Sequence, residues 1–340
     1  MWTAIFARSR PHQLAGRSPV GGHPAAGFRT TCNACPVQNP SDLYRLETHV
    51  DLTDPGSGVL VVALGAFIDA GQIQRALTQH LVETGEAEVV ATFDVDQLFD
   101  YRGRRPAMVF DVNRWAEYEA PSIILQRLTD RDGHTYLLLS GAEPDFQWER
   151  MVAAIRELVV ALGVTLVVSV HGVPMAVPHT RPVGMTAHAT DPALIGDTHS
   201  PFGRVQVPGS IGALLELRLG EAGHRAAGFA LHIPHYLAAS EFADGALAAL
   251  NAIVDLTGLH LPNDGLVETA EANRRAIAAE VEGNEEVQAV VAALEQQYDA
   301  FLEGQHHPNL WAPESSRIPS ADQLAAEFEN FLRTVTDDDE

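Results

Sequence analysis

Two polar runs of sequence, residues 94–106 and 171–188, contain the side chains best suited to chemistry. The first run places three acids ahead of three arginines: Asp94, Asp96, Asp100, Arg102, Arg104 and Arg105. Because a guanidinium group binds a carboxylate through two parallel hydrogen bonds, this order predicts a salt-bridge network, within the chain or across a subunit interface. The alternative is that Arg102, Arg104 or Arg105 holds a phosphate or carboxylate group of a substrate.

The second run contains three prolines together with His171, His179, Arg181 and His188. A rigid loop with histidine and arginine side chains is a favourable place for a binding site. The histidines are spaced by eight and nine residues, however, which matches no standard metal-binding motif. We therefore expect no metal site here, and no cofactor.

Three further carboxylates follow predicted strands. Asp69 is placed to cap the helix after the strand Val59–Leu64, and Asp145 to cap the helix that follows a predicted β-hairpin. Glu143 is left free in its loop and is a candidate general base. The candidate catalytic groups are thus Asp94, Glu143, His171 and His179. The candidates for ligand binding or an interface are Asp69, Asp96, Arg102, Arg104, Arg105, Asp145, Arg181 and His188.

Composition excludes several classes of function. The 340 residues include 45 acids against 22 basic residues, for a formal charge of −23, which disfavours nucleic acid and anionic membrane as partners. Every basic residue is Arg. Without lysine there is no phosphate-binding loop of the Gly-Lys-Ser/Thr type and no Schiff base. The only cysteines, Cys32 and Cys35, precede the main body, and no apolar stretch reaches 18 residues, so we expect a cytoplasmic protein.

The elements that must position these residues alternate between apolar strands and amphipathic helices. This pattern predicts an α/β fold with a mainly parallel sheet and helices on both faces. Strands are predicted at Val59–Leu64, Val89–Phe93, Met108–Val112, Val164–Val170, Val183–Ala189 and Ala226–His232, with a hairpin formed by Ser122–Leu128 and Thr135–Ser140. In open sheets of this kind ligands bind beyond the carboxyl ends of the strands, where the polar runs fall.

The two ends of the chain differ from this body. Residues 1–41 have four arginines and no acid and are expected to form a disordered leader, followed by the α/β domain at 42–262. Residues 263–335 form a predicted helical appendage, an antiparallel hairpin that turns at Gly283-Asn284 and has a further helix from Ser320. Residues 336–340 are an acidic tail.

Several segments together resemble the proteasome assembly chaperone two family, in its actinobacterial branch. The resemblance is carried by Gly65–Gly71, Ala91–Pro106, Gly141–Trp148, Val177–Pro182 and His232–Leu237. It implies a fold distantly similar to that of purine nucleoside phosphorylases and a homo-oligomer, with a trimer as one candidate. It also implies proteasome subunits as partners, although this chain ends at Thr336–Glu340 and not in the hydrophobic-Tyr-any tail through which such chaperones can dock.

Three hypotheses follow. The leading one is a non-catalytic chaperone or interaction protein that assists proteasome assembly. The alternative is a small-molecule enzyme of hydrolase or phosphorylase type, in which Asp94 or Glu143 acts with His171 or His179 and arginines hold an anion. In the third, the helical hairpin near Val287–Phe301 is the partner-binding element.

Overall fold

A mixed sheet of eight strands forms the centre of the protein. The computed structural model describes residues 38–48, 56–65, 69–196 and 203–306, with side chains to residue 303. The strands of this sheet are β1 (Tyr44–Leu46), β2 (Val59–Gly65), β3 (Glu88–Phe93), β6 (Ile123–Thr129), β7 (Thr135–Ala142), β8 (Leu166–Met175), β9 (Met185–Ala189) and β10 (Ala226–Pro234). Two further strands, β4 (Met108–Asp111) and β5 (Arg114–Tyr118), pair only with each other.

The strand order across the sheet is β1-β3-β6-β7-β2-β8-β10-β9. Its centre, β7-β2-β8-β10, is parallel, whereas β6 is antiparallel to both of its neighbours and β1 and β9 are antiparallel edge strands. Strand β2 is buried at every residue but its last, as expected for a central strand covered on both faces. The carboxyl ends of β3, β7, β2, β8 and β10 therefore lie at one edge of the sheet, which confirms the predicted α/β class.

Helices cover both faces. On one face α1 (Ile73–Thr84), α4 (Ala243–Thr257) and α5 (Asp264–Glu282) share a core with Val61, Val168 and Leu231. On the other face α2 (Trp148–Ala161) and α3 (Ile211–Glu221) share a core with Leu60, Val62 and Val167. The alternation of Leu60, Val61 and Val62 between the two cores is the two-residue period of a strand.

Two predicted elements are wrong in their placement. Met108–Val112 does not form a strand of the main sheet, since β4 belongs to a separate two-stranded hairpin that follows the loop after β3. The run 171–188 is not a continuous loop, because His171 lies within β8 and His188 within β9. Only the residues between Met175 and Met185 form the connection.

The C-terminal helices are α5 and α6 (Glu285–His306), separated at Gly283-Asn284 as predicted. Helix α6 lies against the connection between β8 and β9, where Asp299 binds Arg181 and the Tyr298 hydroxyl donates to the Pro182 carbonyl oxygen. In the described part of the chain, no helix is long and apolar enough to cross a membrane. The helix predicted from Ser320, the acidic tail and both cysteines lie outside the described residues.

Candidate functional site

The polar run after β3 is held by hydrogen bonds within its own loop. Asp94 precedes the short 3-10 helix Val95–Gln97 and accepts hydrogen bonds from the Asp96 backbone N–H at 3.2 Å and from Gln97 Nε2 at 2.8 Å. Asp96 accepts a hydrogen bond from the Tyr101 hydroxyl at 2.7 Å, which raises the pKa of Tyr101 to about 12. Both carboxylates thus shape the loop.

Among the described residues, Arg104 is the only one of the three candidate arginines whose side chain has a protein partner. Its Nη2 lies 2.9 Å from Asp145 Oδ1, and its Nη1 donates to the Glu143 carbonyl oxygen at 2.7 Å. Asp145 also accepts from the Asp100 backbone N–H at 2.8 Å, so it ties two loops together instead of capping α2 as predicted. The side chains of Arg102 and Arg105 are exposed.

Glu143 is not the free, exposed base that the sequence suggested. It is buried, with 3% of its surface exposed, and Oε1 accepts the backbone N–H of Ile211 at 2.8 Å. Ile211 is the first residue of α3, and Ser210 Oγ accepts the backbone N–H of Ala213 at the same end of this helix. A carboxylate at a helix N-terminus is stabilised by unpaired N–H groups and the helix dipole, so Glu143 caps α3 from the end of β7.

The predicted cap at Asp69 is confirmed. Its carboxylate accepts the backbone N–H groups of Gln74 at 3.0 Å and of Arg75 at 3.3 Å, in the first turn of α1. Burial raises the pKa of Asp69, and these hydrogen bonds act in the opposite direction. The helix N-terminus is therefore occupied by the chain's own carboxylate.

A cluster of polar side chains lies on the α3 face of the sheet, across β8, β10 and β9. Ser169, Gly228 and His188 form one cross-strand row, and His171 lies two residues beyond Ser169 on the same face. His188 Nδ1 lies 2.8 Å from Glu216 Oε2 of α3. This contact fixes the ring orientation and leaves Nε2 as the second functional atom. The rings of His188 and His171 are 6.3 Å apart.

Electrostatics keep His171 neutral. Burial lowers the pKa of His171 to about 4, and the neighbouring His188 contributes to this shift. Glu216 acts in the opposite direction. A neutral imidazole can accept or donate one hydrogen bond, or ligate a metal, without first losing a proton. The cluster is thus equipped for proton transfer or ligand binding.

Gly228 makes this cluster possible. A Cβ at this position would lie 2.2 Å from Cε1 of His188 and 2.7 Å from Oγ of Ser169, both far inside contact distance. The His188 ring therefore lies across the backbone of β10 and reaches toward β8. Ser169, Glu216 and Gly228 were missed by sequence reasoning; only the two-residue strand period could have placed Ser169 beside His171.

His179 and Arg181 lie elsewhere, against the C-terminal helices. His179 Nδ1 is 2.7 Å from the Tyr236 hydroxyl, and burial lowers the pKa of His179. Arg181 binds Asp299 of α6 through both Nε, at 2.8 Å, and Nη2, at 2.7 Å. Arg181 thus forms a bidentate ion pair within the chain, and its role in ligand binding or at an interface stays a prediction.

The predicted catalytic groups do not converge. Asp94 follows β3 and His171 lies in β8, four strand spacings apart in the sheet, or about 19 Å. Glu143 caps α3, and the His179 ring shares a hydrogen bond with the Tyr236 hydroxyl. Among the histidine–carboxylate pairs of the described residues, His188 with Glu216 is the one whose histidine lies in the sheet, and the sequence did not suggest it.

The described residues contain one group of carboxylate and histidine atoms close enough for a metal ion: Asp130, Asp132 and His134. Asp130 is buried and accepts the backbone N–H groups of Asp132, His134 and His260, at 2.9, 2.8 and 3.0 Å. These bonds form the turn between β6 and β7 and attach it to the segment before α5. The Asp130 carboxylate therefore has a structural role in this turn.

The model of the PAC2 family matches residues 63–281. This chain belongs to the PAC2 family. A comparison with curated proteins finds no match.

Solved structures extend the comparison of this PAC2 chain. A Mycobacterium tuberculosis protein of unknown function, Rv2714, is 41% identical with a TM-score of 0.76, covering 80% of this chain and 94% of that one. A PAC2 family protein from Streptomyces avermitilis is 26% identical with a TM-score of 0.61, covering 68% and 99%. The M. tuberculosis proteasome-assembly chaperone homologue Rv2125 shares the fold at 24% identity and a TM-score of 0.63, covering 68% and 99%.

Among the described residues of this PAC2 chain, the hairpin β4–β5 carries the largest number of exposed large apolar side chains. We call it the β-arm. All nine of its strand residues are exposed, and the large apolar side chains are Met108, Val109, Phe110, Val112, Trp115 and Tyr118, between 47% and 90% exposed. Val112 at the turn has φ of +53°, a left-handed conformation that is strained for a β-branched residue. The rings of Phe110 and Trp115 contact each other edge to face, with their centroids 5.0 Å apart.

Proposed function

We propose that this PAC2 protein is a chaperone-type interaction protein that works as a homo-oligomer and assists proteasome assembly in the cytoplasm. The β-arm is the observation that carries the proposal. Six large apolar side chains on one short hairpin form the kind of exposed patch that marks a protein interaction site. The chaperone-type role is supported by family membership.

The energetics of the β-arm support this role. A two-stranded hairpin with no sheet or helix beneath it is only marginally stable in water. The β-arm pairs with no other strand of the described residues, and its apolar residues face solvent on both sides. Packing on a partner would bury Phe110 and Trp115, and aromatic side chains dominate the binding energy of many interfaces.

The partner class follows from the relatives and from charge. The fold is shared with a proteasome-assembly chaperone homologue, Rv2125. The formal charge of −23 and the absence of lysine oppose binding to phosphate backbones and to ATP. A protein partner accounts for the apolar β-arm, and proteasome subunits are the partners we propose.

Co-purification from a host that has a proteasome tests this function. The full-length chain should retain proteasome α-subunits or assembly intermediates, and Phe110→Ser/Trp115→Ser should lose them. Val160→Ser is the matched control, because Val160 is 67% exposed on α2, away from the β-arm. No retained subunit, together with normal proteasome maturation in a deletion strain, would refute the assignment.

The cluster of His188 and Glu216 favours a second candidate, an enzyme of hydrolase or phosphorylase type. Glu216 orients the ring of His188 so that Nε2 can accept a proton from a hydroxyl or water. Ester hydrolysis and nucleoside phosphorolysis by the purified chain should both be assayed beside His188→Gln. Turnover that disappears in this variant would support an enzyme, and turnover unchanged in it would exclude His188 as the base.

A further inference from the structure

A cavity of about 420 Å³ lies on the outer side of helix α2 and shares no residue with the β-arm or with the cluster around His188. Five of its lining residues lie at one-face spacing along α2, three, four, seven and eight positions after the first, and the core residues of α2 lie on the other side of the helix. The cavity therefore belongs to the surface of the fold and not to its core. Its lining residues are Ala153, Arg156, Glu157, Val160 and Ala161 of α2, and His224 of the turn between α3 and β10.

Arg156 distinguishes this cavity from the rest of the surface. Among the described residues, its Nε is the only buried side-chain nitrogen or oxygen that has no hydrogen-bond partner. Its guanidinium also forms no ion pair with a described carboxylate. Buried polar groups in folded proteins are hydrogen-bonded with few exceptions, and an exception of this kind commonly marks a place where water, an ion or a ligand binds.

Arg150, on the same helix, shows how the fold uses an arginine for its own structure. Its Nε and Nη2 both donate to the Asn39 carbonyl oxygen, at 3.0 and 2.8 Å, and its Nη1 donates to three glutamine side chains. The donors of Arg150 are thus paired within the chain. Arg156, six residues further along α2, keeps its donors for another partner.

The turn opposite Arg156 is held in place by the backbone. His224 donates its backbone N–H to the Leu219 carbonyl oxygen at 2.9 Å, and its own carbonyl oxygen accepts from Thr190 Oγ1 at 3.1 Å. Gly223, with φ of +80°, takes the left-handed conformation that ends helix α3. The imidazole of His224 therefore lines the cavity from a fixed position, and it has no hydrogen bond within the described part of the chain.

The lining side chains favour a carboxylate that carries an apolar body. A guanidinium group binds a carboxylate through two parallel hydrogen bonds. Ala153, Ala161 and Val160, which is 67% exposed, offer an apolar wall to the rest of the ligand. Glu157 adds a negative charge beside the cavity of a chain whose formal charge is −23, and this charge repels a dianion more strongly than a monoanion. A monocarboxylate is therefore a better match than a phosphate monoester.

We propose that this cavity binds a small aliphatic monocarboxylate, which Arg156 holds by its carboxylate group while Ala153, Val160 and Ala161 pack on its alkyl chain. The volume of the cavity lies within the range of small-molecule sites. The lining face of α2 is about 12 Å long, at 1.5 Å per residue, which leaves room for an extended alkyl chain beside the guanidinium. The site is independent of the proposed interaction role of the β-arm.

Titration calorimetry of the full-length chain with hexanoate tests this site. Arg156→Met keeps an apolar stem but removes every donor, so it should weaken hexanoate binding by about tenfold or more. Because Nε has no partner in the described chain, the same substitution should not lower the unfolding temperature. Arg75→Met, at an exposed arginine of α1, is the matched control and should bind hexanoate as the wild type does.

Two further variants separate charge from geometry. Arg156→Lys keeps the charge without the planar fork, so its affinity for hexanoate should lie between those of the wild type and Arg156→Met. Hexyl phosphate should bind the wild type more weakly than hexanoate does, and Glu157→Gln should narrow this difference.

Three results would overturn the proposal: no saturable binding of hexanoate to the wild type, equal affinities of the wild type and Arg156→Met, or hexyl phosphate bound as tightly as hexanoate. If Arg156→Met unfolds at a lower temperature than the wild type, the comparison rests on Arg156→Lys. Wild-type affinity for hexanoate in Arg156→Lys would then contradict the bidentate role of Arg156.

Discussion

Nδ1 of His188 lies 2.8 Å from the carboxylate of Glu216, and this contact joins the edge strand β9 to helix α3. It depends on Gly228 of β10, where a Cβ would lie 2.2 Å from Cε1 of the His188 ring. The prediction is that Gly228→Ala destabilises the fold by roughly 1–3 kcal/mol, because the new methyl group displaces the ring. Urea unfolding measures this.

Gly203→Ala is the control for that substitution, since a Cβ there meets no atom within 4 Å and its φ is not left-handed. Equal stability of Gly228→Ala and the wild type would mean that the His188 ring does not lie across β10.

The pH dependence of stability should reflect His171. Its folded pKa is about 4, lowered chiefly by burial, against 6.5 in the unfolded chain. Between these values the unfolded state binds a proton that the folded state does not, so stability falls as the pH drops from about 6.5 to 4. The loss from this group is up to about 3 kcal/mol.

His171→Asn should therefore flatten the stability profile between about pH 6.5 and 4. Denaturant unfolding at several pH values provides the profiles. Parallel profiles for the wild type and His171→Asn would show that His171 is not kept neutral by its surroundings.

Asp130 should stabilise the turn between β6 and β7 by accepting three backbone N–H groups. Asp130→Asn replaces one acceptor oxygen with a donor and is expected to cost about 1–3 kcal/mol. Burial alone would raise the pKa of Asp130, but these hydrogen bonds lower it. Its contribution is therefore present above pH 3.8 and is lost as the pH falls through the lower folded value.

Asp255→Asn is the control for this position, because Asp255 is an exposed acid on α4. Thermal unfolding at neutral pH compares the two. An unfolding midpoint for Asp130→Asn that equals that of the control would contradict the role assigned to the turn.

Arg181 should hold helix α6 to the connection between β8 and β9. Removal of its bidentate contact with Asp299 by Arg181→Ala is expected to speed hydrogen exchange in α6 and in residues 176–184. Exchange in β2, a central strand, should not change. Arg75→Ala, an exposed arginine of α1, is the control. Identical exchange in α6 for both variants would show that the ion pair does not anchor the helix.

Local patterns predicted the central strands, the helices on both faces and the break at Gly283-Asn284, because each depends on apolar periodicity within one element. The same reasoning misplaced Met108–Val112. Its apolar residues are typical of a strand, but nothing within the segment indicates which sheet it joins. That choice depends on long-range pairing.

The contacts of the candidate site residues likewise divide into local ones, which the sequence predicts, and long-range ones, which it does not. The cap at Asp69 was predictable, since it involves residues five and six positions along the chain. The contact of Glu143 with Ile211 joins residues 68 positions apart, and that of Glu216 with His188 joins residues 28 positions apart. Only the packing of α3 on the sheet brings these residues together. The two polar runs are evident in the sequence, but tertiary contacts determine which of their side chains form hydrogen bonds or ion pairs within the fold.

The mass of the intact chain in solution, measured by light scattering beside the arm variant Phe110→Ser/Trp115→Ser, tests the proposed interaction role of the β-arm most directly. The wild type is predicted to be an oligomer and the arm variant a folded monomer. Equal masses for the two proteins would contradict it.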